Sequence, residues 1–208
     1  MTIWAIVPVK PLQRAKSRLA QVLSPEERRT LSRSLLIHTL EVLAASPVIE
    51  RTLVVSRDTE ALSLARGYGA RSITEQGSPH LNRALARATQ VARSYGVAGV
   101  LVLPADLPLL TAEALDEFVS RAEKPPVVVL APDRRGQGTN ALLCSPPGLI
   151  EYDFGARSFS RHQARALAAH ARLEVCPHPS LALDLDLPED LELLRAGRPM
   201  AALRTSRE

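Results

Sequence analysis

Aromatic side chains are scarce, with three Phe, three Tyr and one Trp making up 3% of the chain. That leaves no run of stacking platforms for single-stranded nucleic acid, and no nucleic-acid partner is expected. Cysteine is almost missing too. Cys144 and Cys176 lie far apart with no CxxC spacing, which argues for two small core residues and against a zinc site or redox pair. No apolar run approaches the roughly 20 residues of a membrane span. The first residues lack the charged-then-apolar pattern of a signal peptide. A cytoplasmic protein with no membrane partner is therefore expected. A further absence is local. Between Ile6 and Leu19 (IVPVKPLQRAKSRL) there is no acidic residue and no glycine, although Lys10, Arg14, Lys16 and Arg18 crowd into that stretch.

What is present is a hydrophobic fraction of 46% over 208 residues, enough for a substantial core. One domain over residues 1–196 is expected, with 197–208 a flexible tail that lacks periodicity. The formal net charge is +4. Because the acids are dispersed, this mild excess suits an anionic small molecule at least as well as a polyanion.

Ile3–Val7 reads as a buried strand. Ser24-Pro25-Glu26-Glu27 reads as a helix start, with Ser24 as cap, Pro25 at the first helical position and Glu27 closing a capping box. Leu31, Leu35, Leu36, Leu40 and Leu43 continue it at helical spacing. Strands follow at 51–56, 71–74, 97–103, 127–131, 141–144 and 172–176. Helices are expected at 59–66, 81–94, 111–121, 158–171 and 188–194. Leu81, Leu85, Ala88 and Ala92 would share the buried face of the second of these. Alternation of strands with helices predicts an α/β fold with a largely parallel sheet covered on both faces. After Pro132 a polar, glycine-containing loop, Asp133–Thr139, marks a less regular second half.

In open α/β sheets ligands gather at the carboxyl ends of strands, and four unusual segments are expected there. Lys10, Lys16 and Arg18 directly follow the first strand and can converge on one anionic group, a triphosphate above all. The plain alternative is a solvated basic turn. Asp106 stands beyond an apolar strand between Pro104 and Pro108, which restrict the backbone; a simple turn residue is the alternative. In LALDLDLPEDL, Asp184 and Asp186 alternate with Leu183, Leu185 and Leu187, so an extended chain aims both carboxylates the same way. Two like charges side by side call for a cation, and hard oxygen donors suit Mg²⁺ shared with substrate phosphates. A solvated acidic edge is the alternative. The fourth segment is Gly138-Thr139-Asn140 followed by FGARSFSRH. Gly155 permits close backbone approach and Ser158 sits near a helix start, where it can bind an anion or act as a cap. Arg157, Arg161 and His162 add possible charge. Asn82 either caps its helix or hydrogen-bonds a nucleotide.

Taken in order, VPVKPLQRAKSRLA, GSPHLNRAL, LPADLP, GTNALL, FGARSF and LDLDLPEDL resemble the guanylyltransferases of deazaflavin coenzyme F-420 biosynthesis, from about Ile3 to Leu194. The resemblance implies a three-layer nucleotidyltransferase fold, related to the glycosyltransferase-A architecture, with a mixed, mainly parallel sheet. It implies GTP and a phosphorylated three-carbon acid as substrates, phosphoenolpyruvate or 2-phospho-L-lactate. It places Thr139, Gly155 and Ser158 on the acid. Pro8, Lys10, Lys16, Arg18, Asn82 and Asp106 fall on the nucleotide, and Asp106, Asp184 and Asp186 on Mg²⁺ or Mn²⁺. Lys10, Lys16, Arg18 and Asp106 carry the catalytic roles. A homodimer and contact with the next enzyme of the pathway are further expectations from the resemblance. Leu187 departs from the pattern, since relatives often carry a polar cap there, so weaker capping of the last helix is expected. The broader class often cradles phosphates on a Gly-rich loop after the first strand; here side-chain cations would take that part. A molybdopterin guanylyl- or cytidylyltransferase is the nearest rival. A glycosyltransferase and a non-enzymatic nucleic-acid binder stand further off.

Overall fold

A computed structural model describes residues 2–196; the tail expected at 197–208 lies outside the described residues. Seven strands form one sheet, β1 (Ile3–Val9), β2 (Ile49–Ser56), β3 (Arg71–Thr74), β4 (Gly99–Val102), β5 (Val127–Pro132), β6 (Thr139–Ser145) and β7 (Arg172–Val175). Their order is β3-β2-β1-β4-β6-β5-β7. All pairings are parallel except those of β6, which runs antiparallel to both β4 and β5. The mixed, mainly parallel sheet is thus as expected. The polar loop after Pro132 is where the chain reverses, and it joins β5 and β6 as a hairpin.

The main helices are α1 (Pro25–Ala45), α2 (Thr59–Gly67), α3 (Leu81–Ser94), α4 (Ala112–Ser120) and α5 (Ser158–Ala168), followed by short α6 (Pro179–Ala182) and α7 (Pro188–Arg195). Alternate side chains of β1 feed two cores, as period-two geometry dictates. Ile3, Ala5 and Val7 pack with residues of α1, α2 and α4, while Trp4 and Ile6 pack with residues of α3 and α5. A third cluster joins Leu19 and Leu35 to Leu185 and Leu191. It pins the loop after β1 against the chain that carries Asp184 and Asp186.

Local signals explain most boundaries. Ser24 and Glu27 make the reciprocal capping box at the start of α1. Thr111 caps α4 through its side chain. Three expectations need correction. Leu81 is 41% exposed and does not belong to the buried face of α3. β4 stops at Val102, two residues before Pro104, although the N–H of Leu103 still donates to the Ile6 carbonyl. α5 ends at Ala168 because His170 turns into the left-handed region (φ 51°), and the N–H of Ala171 reaches back to the Ala166 carbonyl. Leu187 gives α7 no side-chain cap, as expected. The carboxylate of Asp190, three residues in, accepts from the backbone N–H of both Leu187 and Asp186, at 2.7 and 3.0 Å.

Among the described residues, no helix is long and apolar enough to cross a membrane.

Candidate active site

β1 delivers the chain to the sheet's carboxyl edge, where the cationic loop begins. No glycine softens it, and it folds as two short 3-10 turns at Leu12–Arg14 and Ser17–Leu19. Leu12 is buried, and its N–H donates to Asp58 Oδ2 at 2.7 Å. Between the two turns Lys16 adopts left-handed backbone angles (φ 54°, ψ 37°), an uncommon state for a residue with a Cβ. Its side chain is 8% exposed and its ammonium lies 3.0 Å from both Asp106 Oδ2 and Asp186 Oδ1.

The cations of this loop therefore divide. Lys16 is already paired with carboxylates. Lys10 is exposed, and Arg18, 70% exposed, approaches Asp186 only to 3.8 Å. Pro8 belongs to β1 itself, in register with Val55. Of the three cations expected to converge on one anionic group, Lys16 is turned to carboxylates while Lys10 and Arg18 stay exposed. The counter-charges of Lys16 are supplied from far away in the sequence.

Asp106 follows β4 as expected. Asp184 and Asp186 are not at the end of a sheet strand. They come after α6 on an extended segment that crosses the carboxyl edge, and the N–H of Leu185 donates to the Asp106 carbonyl at 3.0 Å. The alternation works as read: Leu183 and Leu185 are buried and the two carboxylates face the other way, partly exposed. Burial, joined by the negative charges of Asp106 and Asp186, pushes the Asp184 carboxyl up to about 6. Burial alone would raise Asp186 as well, but the Lys16 charge and hydrogen bond, with Lys10 and Arg18 beyond them, together outweigh it and hold that carboxyl below the usual range. Burial opposes charge on Lys16, yet Asp106 and Asp186 overcome it and raise its affinity for the proton.

Among the described residues no three His, Cys, Asp or Glu side chains gather into a ready metal cage; the Lys16 ammonium stands between two of the three expected ligands. The donor chemistry still suits a hard divalent cation, since all three are carboxylates and the charges of Asp106 and Asp186 bear on Asp184. Asp106, Asp184 and Asp186 offer oxygen ligands, and substrate phosphates would complete the shell.

The remaining segments meet on the β6 side. Because β6 is reversed, its first residue lies at the same edge as the end of β4. Thr139 opens β6 and is buried. Ser158 and His162, one helical turn apart on α5, are buried too, and His162 Nδ1 lies 3.0 Å from Thr139 Oγ1. The N–H of Phe159 donates to the Gln137 carbonyl, so the start of α5 is tied to the loop that carries Thr139. Gly155 has φ 138°, a value side-chain-bearing residues rarely adopt, and a Cβ there would meet the Arg161 guanidinium at 3.3 Å. Thr139, Gly155 and Ser158 are thus brought to one place.

Two expectations change here. His162 adds no charge. Burial, with Arg161 and Arg165 assisting against Asp153, lowers its pKa to about 4. Asn82 does not cap α3, because His80 occupies that position. Its amide instead clasps the backbone of Phe154, donating to the carbonyl at 3.2 Å and accepting the N–H at 2.8 Å. One N–H of Asn82 remains for a ligand.

Three residues that sequence reasoning gave no role complete the frame. Asn140, 5% exposed, donates to the carbonyls of Leu181 and Ala182 and stands 3.4 Å from Asp184 Oδ1. Arg134 grips Asp190 at 2.7 Å, the same carboxylate that holds the Asp186–Leu187 backbone. Asp133 accepts the N–H groups of Arg135 and Gln137 and crowds Gly138 so closely that a Cβ there would lie 2.8 Å from its Oδ2. Only the glycine of GTN carries a signal for this in the sequence.

A cavity of about 550 Å³ opens on the other side of β1, at the carboxyl ends of β2 and β3, between Val55, Ile73, Glu75, Gln76, Ala84 and Arg87.

This fold is that of the nucleotidyltransferases. It superposes on a nucleotide-diphospho-sugar transferase from Desulfovibrio desulfuricans G20 with a TM-score of 0.78 at 18% identity, covering 99% of this chain and 92% of that one. It also superposes on a nucleotidyl transferase from Methanothermobacter thermautotrophicus with a TM-score of 0.67 at 18% identity, covering 94% and 97%. Sequence gives the finer placement. Residues 3–202 match the family described as "Guanylyl transferase CofC like". The chain is 42% identical over 202 residues to a phosphoenolpyruvate guanylyltransferase of Sphaerobacter thermophilus, spanning 97% of each. Identity is 41% to one of Rubrobacter xylanophilus, over 95% of each chain. It is 32% to a 2-phospho-L-lactate guanylyltransferase of Methanothermobacter thermautotrophicus, over 92% of this chain and 83% of that one. The chain belongs to the CofC-like guanylyl transferase family, and is an enzyme of the nucleotidyltransferase class.

Proposed function

We propose that the protein transfers GMP from GTP to a phosphorylated three-carbon acid, phosphoenolpyruvate in the first instance and 2-phospho-L-lactate as the second, with release of pyrophosphate, in the biosynthesis of deazaflavin coenzyme F-420. The observation that carries this is the convergence of Thr139, Gly155 and Ser158 beside the carboxylates of Asp106, Asp184 and Asp186. The names of the relatives at 41 and 42% identity support phosphoenolpyruvate.

The geometry suggests how the substrates lie. The triphosphate rests over the loop after β1, against exposed Lys10 and Arg18. The acid occupies the β6–α5 side, so the nucleoside extends the other way, into the cavity at β2 and β3, whose size suits a small ligand. A phosphate oxygen of the acid, already anionic at neutral pH, attacks the α-phosphorus in line. The bond to the bridging oxygen of the β-phosphate breaks and pyrophosphate leaves. No general base is required, so the protein's contribution is positioning and charge. Lys10 and Arg18 stabilise the charge gathering on the leaving pyrophosphate. Lys16 keeps Asp106 and Asp186 from repelling each other and fixes their orientation. Mg²⁺ or Mn²⁺, held by Asp106, Asp184 and Asp186, would supply further neutralisation of phosphate charge.

The test is incubation with each acid and each nucleoside triphosphate, coupled to the enzyme that consumes the product. Pyrophosphate release with GTP and phosphoenolpyruvate is expected. Turnover with CTP alone, or with neither acid, would overturn the reading.

A further inference from the structure

His162 is wholly buried and lies inside the wall behind the acid pocket, touching no solvent. Both its ring nitrogens are engaged. The backbone N–H of Asp153 lies 3.0 Å from Nε2, and a backbone N–H can only donate. Nε2 must therefore be the bare, accepting nitrogen. A neutral imidazole carries its proton on one nitrogen or the other, which leaves that proton on Nδ1. Nδ1 faces Thr139 Oγ1 at 3.0 Å, so the ring donates to the hydroxyl.

We infer that His162 is a positioning residue for the Thr139 hydroxyl: by donating into Oγ1 it leaves the hydroxyl's own proton to point away from the wall, toward an anionic oxygen of the acid substrate. The inference rests on the reading of Thr139 as part of the acid pocket. The opposite tautomer would set two donors against each other at Nε2, and so would a protonated ring. Burial disfavours the protonated ring further, with the pKa lowered to about 4. The chain of groups thus has one direction, from the Asp153 N–H through the ring to the hydroxyl. A hydroxyl held in this way accepts from the protein and donates to the ligand, and it favours an acceptor oxygen over a ligand group that must itself donate.

Two readings on the full chain test this. First, nitrogen–proton spectra of the imidazole rings, assigned with the His162→Gln variant, should show His162 protonated at Nδ1 and bare at Nε2. A ring protonated at Nε2 overturns the proposal. Second, kinetics with GTP and phosphoenolpyruvate varied separately should separate two substitutions. His162→Asn places an amide N–H where Nδ1 was and should keep the acid KM within about threefold of wild type. His162→Gln carries its amide out to the Nε2 position, where its oxygen can accept the Asp153 N–H, and leaves no donor at the Nδ1 position; it should raise the acid KM about tenfold, the worth of one charged hydrogen bond, with the KM for GTP unchanged. Melting temperatures accompany both. A merely structural histidine would lower stability in both variants without that split, and equal KM values would overturn the proposal. Thr139→Ala separates the two layers. If it leaves the acid KM untouched, Thr139 is not in the acid pocket and both readings fall. If it raises the acid KM while His162→Gln does not, the pocket stands and the role of His162 falls.

Discussion

Take away the Lys16 ammonium and Asp106 faces Asp186 with nothing between them, while Asp184 already lies near both. We expect Lys16→Ala to lower turnover about tenfold or more, as loss of a group that holds the site's carboxylates in place does. The same variant should lose roughly 1–3 kcal/mol of stability, less than a fully buried pair because both carboxylates are partly exposed. Paired kinetics and denaturant melts read the two effects; a stable, fully active variant would mean that the loop's charge is idle. His162 sets a second expectation at this scale. Its pKa is about 4 in the fold against 6.5 ordinarily. Between those values the unfolded chain binds a proton that the folded chain refuses. Its contribution is present above about pH 6.5 and falls away toward pH 4, on the order of 3 kcal/mol in all. Asp153, Arg161 and Arg165 face the ring and shape the same titration. Stability measured from pH 7 to 4 should fall less steeply in His162→Asn. Sequence marked Lys16, Asp106, Asp184 and Asp186 as candidates more readily than it showed what they touch. The lack of acids between Ile6 and Leu19 is plain in the sequence, but the counter-charges of Lys16 lie 90 and 170 positions away, and only the folded chain brings them together.

Elements with local signals were readable; those defined by distant partners were not. The capping box of Ser24 and Glu27 lies within four residues and marks the start of α1 unaided. The reversal of β6 has no such mark. Its apolar run looks like that of any buried strand, and direction depends on which neighbour it pairs with. Short α6 escaped for a similar reason, since Pro179–Ala182 is too brief to show a period. Its anchor is Asn140, reaching across from β6 to the Leu181 and Ala182 carbonyls. Asn140→Ala should therefore untie the segment that aims Asp184. We expect the metal concentration giving half-maximal activity to rise about tenfold or more, as when a residue behind a ligand is lost, while the KM for GTP at saturating metal stays near wild type. A metal titration decides, and an unchanged curve would leave Asn140 a purely structural clasp.

For the whole molecule, the β1–β4 centre has the cavity at β2 and β3 on one flank and the Thr139–Ser158 wall on the other, and the proposed function gives the nucleoside to the first and the acid to the second. Substrate-specific damage should follow that division. Ala84→Leu puts bulk into the cavity and is expected to raise the KM for GTP about tenfold or more, at a packing cost of about 1–3 kcal/mol, with little change for the acid. Ser158→Ala should do the reverse, through a lost hydrogen bond to a charged group of about 1.5–3 kcal/mol. Measuring both KM values in both variants checks it, and damage to both substrates from either change would contradict the division. The layered α/β architecture was legible because periodicity is a global signal carried by many residues. The cavity was not, because its walls are ordinary residues that become a site only where two strand ends and a helix meet.

The pairing of Lys16 with Asp106 and Asp186 also orders events in time. A chain is made from its amino end, so Lys16 emerges 170 residues before Asp186, the second of its two counter-charges. Until Asp186 arrives and Leu185 and Leu191 close over Leu19, Lys16 has only Asp106 to face. Completion of the site waits for Asp186, and a chain that stops short of it keeps Lys16 with one counter-charge in place of two.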